Sequence, residues 1–229
     1  MEEKNISSAI IDTLAGKSTL KQVVYDILVE SFELIKNVLS DLTEHYNDKL
    51  NHADIRVLLE YQDNGLFGAQ IKAGSDILIF SMHSNIFQFD REHSIWKTSY
   101  VSADRDAAYC GIINIYNFLA DSFKYNRLAD LGYLICRIFI NKDRHFFVEG
   151  KRQQKYYFTS FGQEKINRTA IEDIINSTIN YALEFDLLVP PYDTVKLTTV
   201  EQAIQNIEYS RMKTGKRLGF RFNSDDVTG

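Results

Sequence analysis

The spacing of apolar residues changes once along this chain, just after Asn51, and no single motif constrains the fold as much. Upstream, Leu20, Val23, Val24, Ile27, Leu34, Ile35, Val38 and Leu42 recur every three or four residues, which places them on one side of an α-helix. Tyr25, Leu28, Val29, Phe32 and Leu39 form a second stripe. A helix apolar on two sides must be covered twice, by a sheet and again by C-terminal helices or a second subunit. Ser18 or Thr19 starts it, with Thr19 and Gln22 in capping-box spacing. A shorter helix, Asn5 to Leu14, precedes it, carrying Ile6, Ile10, Ile11 and Leu14 on one side and stopped by Gly16.

From Asp54 the period becomes two. Ile55, Val57, Leu59 and Tyr61 alternate with Arg56, Leu58, Glu60 and Gln62, the pattern of a strand with one buried face. A three-residue loop containing Asn64-Gly65 would pair Tyr61 with Phe67, Leu59 with Ala69 and Val57 with Ile71, so that the apolar faces agree, with Gly65 left-handed. Turns at Ala73-Gly74-Ser75 and His83-Ser84-Asn85 then give a four-strand antiparallel meander over 54–90. Ile95–Val101 reads as a further strand, 109–119 as either strand or helix, and 132–149 as a hairpin about Asn141-Lys142-Asp143. Tyr156–Ser160 continues the sheet.

Helix returns at Thr169-Ala170-Ile171-Glu172, a second capping-box pattern, and Pro190-Pro191 breaks it. A helix from about Thr199 to Met212, a strand at Arg217–Phe222 and a tail to Gly229 complete the reading. The fold class is therefore α+β: an antiparallel sheet packed against a long N-terminal helix and C-terminal helices. It forms one domain with a helical segment at 1–50, a mainly β segment at 54–160 and a helical segment at 167–222 with its terminal strand.

At 229 residues the chain can bury a sizeable core without staples, and its two cysteines, Cys110 and Cys136, are too few for a disulfide framework. No apolar run is long enough to span a bilayer, and the acidic Met1-Glu2-Glu3 start lacks the pattern of a secretory signal, so the cytoplasm is the expected compartment. A net charge of −5 disfavours general nucleic-acid binding. The charge is uneven: residues 1–143 hold 14 basic and 20 acidic side chains, residues 144–229 hold 12 and 11.

Several segments imitate catalytic motifs. Gly16-Lys17-Ser18 resembles the end of a phosphate-binding loop, but Ile11 occupies the position of the required earlier glycine and a helix precedes it where a strand is needed. Ser18-x-x-Lys21 with Lys213-Thr214-Gly215 lacks the intervening Ser-Asp-Asn of the penicillin-binding set. Glu60 followed by Gln70-x-Lys72 is closer to a metal-dependent nuclease pattern, and the hairpin register puts all three on the polar face. Gln70 is neutral, however, where a magnesium site would gain from a second carboxylate. His83, Asp90, Glu92 and His93 are metal-ligand types without a recognisable spacing, and His45, His52 and His145 have no partner spacing. No cofactor or metal is implied.

Three functions are compatible with these residues. The first is a non-enzymatic binding or accessory protein acting through a protein partner or as a homo-oligomer, with the long N-terminal helix as the contact. The second is a nuclease-like enzyme using Glu60, Gln70 and Lys72. The third is binding of a phosphorylated ligand or single-stranded nucleic acid through Arg152, Lys155, Lys216, Arg217 and Arg221, which lie in two stretches mixing cations with aromatic rings.

Overall fold

The computed structural model describes residues 6–128, 130–151, 156–184, 196–197 and 199–201. Helix α1 (Ile6–Thr13) runs through a π-helical segment, Leu14–Ser18, into α2 (Thr19–Lys49). Strands β1 (Glu60–Asp63), β2 (Gly68–Ala73), β3 (Asp76–Met82) and β4 (Phe87–Gln88) come next. Short helix α3 (Ser99–Ala103) precedes the long strand β5 (Tyr109–Leu119), α4 (Ala120–Lys124), the hairpin strands β6 (Tyr133–Asn141) and β7 (Phe146–Gly150), and α5 (Arg168–Leu183). The antiparallel sheet has the order β1-β2-β3-β5-β6-β7, with β4 also paired to β5. The α+β architecture read from the sequence is the one observed. No helix among the described residues is long and apolar enough to cross a membrane.

The inner face of the sheet carries Ala69, Ile71, Leu78, Phe80, Ile113, Ile115, Ile138 and Val148, all buried against α2 and α5. Most of both stripes of α2 is covered within the chain: Leu28, Phe32 and Leu39 are buried, as are Val24, Ile35 and Val38, while Val23 stays 45% exposed. The second cover is α5, tied to α2 by the Tyr46 hydroxyl donating to Asn176 (2.8 Å) and by the Arg168–Asp41 ion pair (2.5 Å). No outside subunit is needed to cover Leu28 and Phe32.

Local chemistry departs from the sequence reading at several points. Gly16 does not stop a helix. Ser18 has helical dihedrals (φ −71°, ψ −40°), so its side chain is not placed to cap, and the Thr19 hydroxyl instead donates back to the Leu14 carbonyl at 3.0 Å. The Thr19/Gln22 capping box is thus absent. In α5 the cap is Asn167, whose side-chain oxygen accepts from the Ala170 N–H at 3.0 Å, two residues ahead of the expected Thr169.

The first strand is shorter than its alternation suggested. Residues 55–57 form a 3₁₀ turn started by Asp54, and both backbone groups of Leu59 are bonded to the Asn47 carboxamide (2.9 Å each), which withholds them from the sheet. Tyr61 therefore opposes Ile71, and Asp63 opposes Ala69, rather than Tyr61 opposing Phe67. The slip from Phe67 to Ile71 is an even number of residues, so every side chain keeps its predicted face. Gly65 is left-handed as expected (φ 84°).

The meander has three strands, not four. At His83 the chain jogs without reversing: its N–H still bonds to Ile112 (2.9 Å), and β4 then continues along β5 in the lane of β3. Ile95–Val101 is not a strand but a 3₁₀ turn and α3, because His93 and Thr98 accept backbone N–H bonds from Ile95 and Val101 that start helical turns. Residues 109–119 are strand. Tyr156–Ser160 ends in a 3₁₀ turn, although the Val148 N–H bonds to the Tyr156 carbonyl at 2.7 Å. The expected helix at 199–212, the strand at 217–222 and the break at Pro190-Pro191 fall almost wholly outside the described residues.

At Gly111 on β5, a Cβ would lie 2.6–2.9 Å from three carbons of the Leu28 side chain, so the helix is seated where the strand has no side chain. Gly111→Ala should destabilise the protein by about 1–3 kcal/mol in urea titration. Adding Leu28→Ala to it should cost clearly less than the two single effects summed.

Candidate functional site

The outer face of the sheet is only partly covered. Residues 89–108 and 158–162 lie over its β6–β7 side, burying a second apolar cluster of Ile95, Val101, Phe139, Phe147 and Phe161. This cover is anchored at the β6–β7 turn. The Asn141 carboxamide donates to the Tyr100 hydroxyl (3.0 Å) and the Ala107 carbonyl (3.2 Å), and accepts from the Asp143 and His145 N–H groups. Tyr100 donates to Asp143 at 2.6 Å, and its hydroxyl is pushed far above the usual phenol range by burial, reinforced by that carboxylate. Lys142 pairs with Asp104 at 2.7 Å, which lowers the carboxyl and raises the ammonium. Gly162 (φ 95°) packs so closely on the Tyr100 ring that a Cβ there would meet it at 2.4 Å.

Beyond the edge of this cover the outer face is open, with Gln62, Gln70, Ile79, Tyr116 and Leu134 in register across five strands. Glu60, Gln70 and Lys72 do share this face, as the sequence indicated. Glu60 stands directly opposite Lys72 and forms an ion pair with it, while the Gln70 amide donates to Gln62 (3.1 Å) and accepts from Asn64 (3.0 Å). The three therefore form an ion pair beside a ladder of neutral amides. Among the described residues no group of three or more His, Cys, Asp or Glu side chains is placed to hold a metal ion.

Between the cover and the open face runs a groove of about 460 Å³, lined among others by His83, Phe89, Asp90, His93, Asn114, Tyr116, Arg137 and Glu149. It brings together the two histidines and Asp90 noted in the sequence with β5 and β6 residues that were not. In both histidines Nδ1 accepts a backbone N–H two residues on, from Asn85 (3.0 Å) and from Ile95 (3.1 Å). Each neutral ring must then carry its proton on Nε2, the arrangement of a hydrogen-bond donor and not of an Nε2 metal ligand. Arg137 is paired with Glu149 and lies over the Phe139 ring at 5.3 Å. Asn114 and Tyr116 escaped the sequence reading because strand and helix were both open for 109–119, so no face could be assigned.

A second exposed feature is α1, none of whose residues is buried. Arg152, Lys155, Lys216, Arg217 and Arg221 lie outside the described residues. No family model, curated protein or solved structure matches this chain.

Asp104 has a folded pKa below its ordinary value, so its stabilisation is complete above the unfolded pKa and disappears as pH falls through the folded one. Stability should decline below about pH 4. Asp104→Asn should lose up to about 1 kcal/mol at pH 7, and the gap to wild type should narrow at pH 3 by chemical denaturation.

Proposed function

We propose that this is a non-enzymatic binding protein that self-associates through its N-terminal helix, two copies pairing antiparallel along α1. One observation carries the reading. Ile6, Ile10, Ile11 and Leu14 are 78%, 54%, 61% and 59% exposed on a helix continuous with the longest helix of the fold. Together they offer roughly 500 Å² of apolar side chain, at the upper end of what a lone chain normally exposes. A stable dimer needs about 800 Å² per partner, so a contact of this size supports a reversible dimer.

The stripe is self-complementary. About an axis at Ile10, Ile6 of one copy meets Leu14 of the other, as a two-fold contact requires. Charge favours the antiparallel sense: Glu2-Glu3-Lys4 before the stripe in the sequence carry a net −1, and Lys17 and Lys21 after it carry +2. Antiparallel pairing sets acid toward base, whereas parallel pairing sets like toward like.

Light scattering during gel filtration should show wild type dimerising with concentration, and Ile10→Asp with Leu14→Asp should be monomeric with unchanged circular dichroism. Cys110 and Cys136 are buried, and burial raises both thiols, so an introduced cysteine reports alone. Ile10→Cys should crosslink to its own copy on oxidation. A monomeric wild type at about 100 µM, far above a micromolar dissociation constant, would overturn the proposal.

A further inference from the structure

The groove on the outer face differs in chemistry from the apolar arm, with polar, charged and aromatic side chains in one lining. Asn114 stands on β5 between Ser81 and Arg137, half-buried, and its carboxamide makes no hydrogen bond to any described residue. It is therefore free to donate and accept side by side. Three rings in the same lining remain partly open to solvent, Phe87, Phe89 and Tyr116, the last of them two residues along the same face from Asn114. Further donors come from His83 and His93, whose Nδ1 atoms are already committed to backbone N–H groups. Among the fixed charges of the lining, Asp90 and Glu149 outnumber Arg137, which opposes a phosphate.

We propose that this groove binds a neutral, planar heteroaromatic compound with a donor and an acceptor adjacent on one edge, as in a nucleobase or nucleoside, with Asn114 reading that edge. A carboxamide matches such an edge with two parallel hydrogen bonds, and the partly open rings of the lining offer apolar contact to a flat ring. The volume is that of a small-molecule site.

Isothermal titration calorimetry on the full chain tests this, using adenosine and its 5′-monophosphate as probes. Adenosine should bind saturably at one site per chain, and the monophosphate more weakly. Asn114→Leu should weaken adenosine binding about tenfold, the loss expected when a buried paired donor and acceptor are removed. Asn114→Asp preserves the volume should the leucine disturb folding, and it should weaken binding as well, because the donor is lost. Absence of adenosine binding, tighter binding of the monophosphate, or wild-type affinity in the folded aspartate variant would each overturn the assignment. Performing the titration on the Ile10→Asp arm variant as well keeps the two sites separate, since groove binding should be unchanged there.

Discussion

The approach of α2 to the sheet at Gly111 governs the rest of the packing. Leu28 fills the space where β5 lacks a side chain, and this contact sits between the central strands and the longest helix. The inner face beside this contact is lined by buried apolar side chains. Lys36 on the same helix is also buried, where burial opposes the charge, yet bonds to Glu33 (3.0 Å) and Asp63 (3.2 Å) outweigh it and raise the ammonium pKa. The ion pair with Asp63 fastens the edge strand β1 to the helix. The Asn47 bonds to Leu59 do the same further along the helix. Much of the register of the first hairpin is thus decided by the helix beside it.

The two faces of the sheet are used unequally. One is sealed by two helices. The other is half roofed by irregular chain whose backbone groups are satisfied locally by His93, Thr98 and Asp104, and whose position is fixed by Asn141 and Tyr100. Irregular backbone can lie over a sheet only when its N–H and C=O groups find such partners. The result leaves an edge where roof and bare sheet meet, and the groove with Asn114 lies along it.

What the sequence made legible was periodicity, and periodicity reports faces. Glu60, Gln70 and Lys72 were placed on one side correctly although their register was off, because an even slip preserves the side. What it could not report was competition for backbone groups. Nothing local to Leu59 announces that Asn47, twelve residues earlier, will take its amide, and nothing local to Ile95–Val101 outweighs the alternation there except two hydrogen-bonding side chains, His93 and Thr98, at helix-start positions. The same limit hid the groove. Its centre, Asn114 and Tyr116, lies on a segment whose apolar residues fit both periods, and only the neighbouring strands β3 and β6 decide between them.

The wide turn at Leu14–Ser18 separates the orientation of the arm from that of the body. A π segment holds more residues per turn than the α-helix on either side, so it resets the angular phase between the two. Removing one residue there, Gly16 for instance, where an added Cβ would touch nothing within 4 Å, would leave every contact of the body in place while swinging the isoleucine stripe about the helix axis by about 100°. The direction in which the arm presents its apolar side is therefore a separate inheritance from the fold it grows out of, adjustable by the length of five residues.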